Sequence, residues 1–179
     1  MSMDHFLEEV AVKQRNTVNR IAYYLSWIVM IVSALLAMFL LQVVFRQFDV
    51  VTLIMTLVFA GIAVYIFFFH DKLLTEYEYT FTNGALDFAE VYNNKKRKSL
   101  GSLNVKTVDA FGRVSSGSFQ RYLNTPNVKR MNWFLNRDAE LYYFFFSKDS
   151  AKKMIILEPS EEMVGMIKQY IPRGVYQEN

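Results

Sequence analysis

The chain has no cysteine, which excludes disulfides and thiolate-bound metals at the outset. Histidine is nearly as scarce: His5 and His70 are the only two, and the first long apolar run separates them. A Ser–His–Asp constellation or a His-rich metal centre therefore has nothing to assemble from. Glycine is sparse, and its one suggestive cluster fails. Gly112-Arg113-Val114-Ser115-Ser116-Gly117-Ser118 spaces two glycines as a phosphate loop would, but Ser118 stands where the lysine is required. The nucleophile-elbow pattern Gly-x-Ser-x-Gly does not occur. Glu76 and Glu78 share one strand face and are expected to be outward polar residues, not an acid–base pair. A net charge of +3 is too mild for a nucleic-acid binder. This inventory assigns no catalytic residue, no cofactor and no metal, and the chain is expected not to be an enzyme.

Charge is missing most conspicuously in two places. From Ile21 to Phe45, and again from Val50 to Phe69, there is no Asp, Glu, Lys or Arg. A bilayer core of roughly 30 Å needs about 20 apolar residues in a helix, so both runs are long enough to span. Arg46, Gln47, Phe48 and Asp49 alone connect them, which predicts a tight antiparallel hairpin over residues 21–70. The first run exceeds the roughly 7–15 residues of a secretory signal, and Asp4, Glu8 and Glu9 flank it, so an uncleaved span is expected. Neither run carries an ionisable residue, which removes the usual mark of an ion or proton pathway. Lys13, Arg15 and Arg20 precede the first span and Lys72 follows the second, against Arg46 in the turn. The positive-inside rule then places both termini in the cytoplasm, in a multi-pass plasma-membrane protein. Tyr23, Tyr24 and Trp27, with Tyr65 and Phe67 to Phe69, suit the inner headgroup boundary. Small residues (Ser26, Ser33 and Ala37 against Ala60, Gly61 and Ala63) are expected to pack the spans together, a homodimer seam being the other use.

Residues 1–20 place Phe6, Leu7, Val10, Ala11 and Val18 near one face at helical spacing, with Glu8, Glu9, Lys13, Gln14 and Arg15 opposite. This predicts an amphipathic cytoplasmic helix, extending the first span, lying in the headgroup plane or docking on the soluble domain. After Phe69 the period changes. Glu76 to Thr82 alternates strictly, with Tyr77, Tyr79 and Phe81 on one side, which is a half-buried strand. Asn83-Gly84 supplies a type I′ turn, and Leu86 and Phe88 continue on the return strand. Arg97–Gly101 and Val105–Val114 are expected strands with a break between them. Ser115–Arg130 lacks periodicity and is expected to be a loop. Further strands are expected at Met131–Leu135, Leu141–Phe146 and Met154–Leu157. Leu141–Phe146 is apolar on both faces, so it should be central or present one face to lipid. Ser160 caps a closing helix in which Met163, Val164, Ile167 and Ile171 share a face before Pro172.

About seven strands followed by one helix resemble a pleckstrin-homology-like barrel. Met3, Asp4 and Phe6, the two-span hairpin, and Tyr77-Glu78-Tyr79-Thr80-Phe81-Thr82-Asn83-Gly84 together resemble a family of small bacterial two-span proteins. That family is classed as a domain of unknown function and carries a pleckstrin-homology-like (PH-like) cytosolic part. The resemblance implies an α+β membrane protein with a mostly antiparallel PH-like barrel or sandwich over residues 71–179. It implies no activity and no functional residue.

One positive feature is the run Lys95, Lys96, Arg97 and Lys98. The first strand after the hairpin should start at the membrane, and the next should return there, bringing this run towards anionic headgroups. Each Lys or Arg so placed is worth about 1 kcal/mol. The other reading is a solvated loop or a topology determinant. Phe119, Arg121 and Tyr122 form a second candidate contact, since aromatic rings beside a cation suit a wet–dry boundary. The expected function is display of the PH-like domain at the inner leaflet for binding anionic lipid or a protein. The alternative is an accessory subunit of a larger membrane complex. A membrane enzyme would need a pocket lined by Asp109, Arg113 and Arg137.

Overall fold

The computed structural model describes residues 5–14 and 16–178. Met3, Asp4 and Arg15 lie outside the described residues. In chain order the elements are β1 (Phe6–Ala11), α1 (Thr17–Arg46), α2 (Val50–Phe69), β2 (Thr75–Thr82), β3 (Ala85–Tyr92), β4 (Lys96–Asn104), β5 (Ala110–Arg113), α3 (Gly117–Leu123), β6 (Lys129–Trp133), β7 (Tyr142–Lys148), β8 (Ala151–Leu157), α4 (Glu161–Tyr170) and β9 (Tyr176–Gln177). The chain forms two compact units: one is built from β1 together with everything from Glu76 onward, the other from the intervening helices.

In the helical unit, α1 has 30 residues and α2 has 20, about 45 Å and 30 Å of rise. Both are long and apolar enough to cross a membrane, and few of their residues are buried. Asp49 caps α2, its carboxylate accepting from the Thr52 amide at 2.8 Å and hydroxyl at 2.9 Å. Ser33, Ala37 and Thr56 are the residues fully covered where the helices pack. Gly61 faces outward, contrary to expectation, and Thr56 takes its place by turning its hydroxyl back onto the Thr52 carbonyl at 2.8 Å. A 3₁₀ turn over His70–Leu74 closes the base. Asn19 donates to the Leu73 carbonyl at 2.9 Å, and buried His70 lies between the rings of Tyr23 and Trp27.

The domain has a four-stranded sheet of order β1-β2-β3-β4 and a five-stranded sheet of order β6-β8-β7-β5-β9. Its first strand corrects the expected amphipathic helix of residues 1–20. Phe6–Ala11 is extended and runs antiparallel to β2, pairing Phe6 with Thr82 and Ala11 with Tyr77. Only from Thr17 does the chain become helical, as the start of α1. The physical reason is a partner across the hairpin: Leu7 and Ala11 pack on the core while Phe6, Glu8 and Val10 point out.

Asn83 and Gly84 turn β2 into β3 with φ of 50° and 96°, as the type I′ turn demands. A β-carbon on Gly84 would come within 2.8 Å of the Tyr170 ring, so the turn also seats the end of α4. The second sheet is not wholly antiparallel. β6 runs parallel to β8, and β9, absent from the sequence reading, runs parallel to β5. Among the described residues the strand count is accordingly nine, and the sheets are open rather than a closed barrel.

The core has two compartments. Tyr79, Phe81, Leu86, Phe88, Phe111, Phe144 and Leu157 fill the main one, closed by Met163, Val164 and Ile167 of α4. On the far side of the second sheet, Tyr143, Phe145, Met154 and Ile156 pack under Phe119. This explains the doubly apolar β7: it is central, between β8 and β5, and α3 covers its outer face. The expected loop Ser115–Arg130 therefore contains a helix whose Phe119, Tyr122 and Leu123 share one apolar side. α4 is as expected, with Ser160 accepting from the Met163 amide at 3.1 Å.

Candidate functional site

The run Lys95–Lys98 straddles the β3–β4 turn. Asn93 and Asn94 adopt φ of 49° and 53°, Lys95 closes the turn, and Lys96, Arg97 and Lys98 open β4. Because β2 leads away from the hairpin and β3 returns, this turn lies at the sheet end where the chain enters the domain. Glu76, the first domain residue after the hairpin, lines the same cleft as Lys95, Lys96 and Arg97.

Neighbours on β1 and β2 change what these cations offer. Arg97 reaches across the outer face of the sheet to Glu78 at 2.6 Å and approaches Glu8 at 3.9 Å. Glu78 is 5 % exposed, unusual for a carboxylate on an outer sheet face. Burial pushes its pKa up, the hydrogen bond with Glu8 adds to the rise, and the Arg97 charge opposes it. Lys98 lies 3.8 Å from Glu90. Glu90, after burial, also holds the Tyr92 phenol up to about 12. The basic run is thus partly neutralised inside the domain. No sequence-local signal announced this, since Glu8 and Glu78 arrive through sheet pairing.

Phe119, Arg121 and Tyr122 come together around α3, but not as a free aromatic surface. Phe119 is 7 % exposed, its ring 5.3 Å from Tyr143, and Tyr122 stacks near Phe145 at 4.7 Å. Arg121 remains exposed, over the Tyr122 ring and 3.3 Å from the Gln177 side-chain oxygen. Asp109, Arg113 and Arg137 serve separate local contacts. Asp109 accepts from Ser147 at 3.2 Å, Arg113 binds Glu140 at 2.8 Å and Tyr142 at 3.2 Å, and Arg137 is exposed. Among the described residues no group of His, Asp and Glu is placed to hold a metal ion.

The sheets also gather cations that are scattered in sequence. Parallel pairing of β6 with β8 sets Lys129 beside Lys153, and the β7–β8 hairpin adds Lys148 and Lys152. Asp149 offsets one of them, 3.9 Å from Lys153. A small cavity of about 100 Å³ separates this cluster from β4, with Leu100 and Trp133 on its walls.

No curated protein and no solved structure matches the chain. The family model for the bacterial PH-like domain (DUF6106) matches residues 3–177, a range that takes in β1, both apolar helices and the whole of the two-sheet domain. The chain therefore belongs to the bacterial PH-like domain family DUF6106.

Proposed function

We propose that this protein is a membrane-anchored, non-catalytic binding module whose PH-like domain works on the cytoplasmic side of the plasma membrane. The observation that carries this reading is the pairing of β1 with β2 on either side of the two apolar helices. A strand made before the helices can reach one made after them only if both helix ends leave the bilayer on one face. Two antiparallel spans meet that condition. Removal of the first helix with a cleaved leader would also remove β1 from its sheet, which argues against a secretory signal. Lys13, Arg20 and Lys72 flank the shared end, which supports the cytoplasmic assignment.

The targets we propose are anionic lipid headgroups or a protein, met through the basic end of the first sheet. Lys95 to Lys98 supply that charge, moderated by Glu78 and Glu90. A second reading, an accessory subunit packed on the spans of a larger complex, draws on one observation. An apolar groove of about 550 Å³ runs along the helix pair, where Ala34 and Ala63 leave room beside Leu35 and Phe67.

Alkaline carbonate extraction of native membranes tests the anchoring. Retention in the pellet is expected, and release into the supernatant would refute it. Mild-detergent purification then separates the two readings, since a subunit comigrates with a larger assembly and a self-contained module does not.

A further inference from the structure

The first sheet ends at β4, whose nine residues present an open side of about 30 Å, interrupted at Leu100 by a bulge in its pairing with β3. The other sheet edges are shorter or approached by neighbours. β9 has two residues and β6 five, and the Ser160 amide reaches Glu9 on β1 at 3.1 Å. β4 is exposed nearly throughout, and among the described residues no strand lies beyond it. An open edge offers a row of backbone donors and acceptors to any extended chain that can approach. Charge decides which chain. Lys96 and Lys98 stand on β4, and Lys148 and Lys153 face it across the small cavity. Glu90 at 3.8 Å offsets Lys98 and Asp149 at 3.9 Å offsets Lys153, so the cluster stays positive on balance. With lysines on the strand and across the cavity from it, an acidic strand is the electrostatic complement of this edge. The cavity, walled by Leu100, Met131 and Trp133, has room for one aliphatic side chain.

We propose that β4 is the docking edge for an extended acidic segment of a partner protein, which adds to the first sheet as a fifth strand. Its carboxylates face Lys96 and Lys98 on one side and Lys148 and Lys153 on the other, and one apolar residue enters the cavity. This rests on the binding-module reading and names the partner class for it. A lipid headgroup uses the lysines but has no use for the backbone edge, and that difference makes the two separable.

The test uses the full chain in phosphatidylcholine nanodiscs and a fluorescent eight-residue peptide alternating Glu and Val. Two derivatives carry N-methyl groups on alternate amides, so that each blocks one edge of the peptide and leaves its charge intact. The expected result is binding of the Glu/Val peptide but not of a Lys/Val control. Only one methylated derivative should lose binding, and K96E/K98E and K148E/K153E should each weaken it at least tenfold. Equal binding of both derivatives means charge alone is being read and overturns the proposal. So does no binding, or a lysine effect confined to nanodiscs containing phosphatidylglycerol, which would assign the patch to lipid. The methylated pair is tested on the unaltered protein, so misfolding of a variant does not blunt the result. Carbonate extraction reports the membrane anchor independently of any peptide outcome.

Discussion

Tyr79 shows how much of the domain hangs on single side chains. Its ring is fully buried against Phe88, and its hydroxyl donates to the Trp133 carbonyl, tying the first sheet to the end of β6. Burial drives its pKa well above that of free tyrosine, so it stays a neutral donor. Tyr79→Phe keeps the ring and leaves a half-buried carbonyl without this donor. A loss of about 1–2 kcal/mol is expected, read as an earlier unfolding midpoint of the full chain in detergent. Glu78 makes a prediction in pH. Its pKa in the folded chain lies above the ordinary value of 4.5, so the native state holds that proton longer than the unfolded chain does. The associated stability is complete below that ordinary value and fades as pH rises through the raised one. Glu78→Gln cannot lose a proton there. The variant should therefore gain on the natural chain between pH 4.5 and 7, and parallel denaturation curves at the two pH values would contradict this.

Among elements, β1 carries the sharpest expectation. The chain lacks cysteine, so a pair introduced at Phe6 and Thr82 is the sole thiol pair present. These residues are in register, and paired strands hold α-carbons about 4.5–5.5 Å apart, within disulfide reach. Oxidation should crosslink this pair, whereas a pair at Phe6 and Glu76 should remain free thiols; mobility on a non-reducing gel distinguishes them. β1 is also where the sequence was least legible. Phe6, Leu7, Val10 and Ala11 fit a helical face as well as a strand, because Val10 points outward and Glu9 is half-buried. Its partner begins beyond the whole hairpin, out of reach of any local period. β2, its Asn-Gly turn and α4 were legible because their signals are local: strict alternation, a left-handed dipeptide, a Ser cap followed by acidic residues. The candidate site divides the same way. Lysines adjacent in sequence were visible, but the carboxylates that temper them and the Lys129–Lys153 neighbours appear only once strands pair.

For the molecule as a whole, topology is the property to measure. Phe48 lies in the turn between the helices and Glu178 near the C-terminus. A single cysteine at 48 should react with a membrane-impermeant maleimide on intact cells, and one at 178 only after permeabilisation. The opposite pattern would invert the orientation proposed above.

The placement of the helix pair inside a strand pairing also sets a timetable. Phe6–Ala11 emerges from the ribosome first, yet its partner Tyr77–Thr82 is not made until both apolar helices have been synthesised. At about 5–20 residues per second, that leaves the leading strand alone for on the order of ten seconds. Completion of the first sheet thus waits on synthesis of the whole helix pair, and a chain stalled before β2 joins β1 would expose the outer flank of β2. Quality-control machinery would meet such a molecule as a domain that is nearly finished and missing its opening strand.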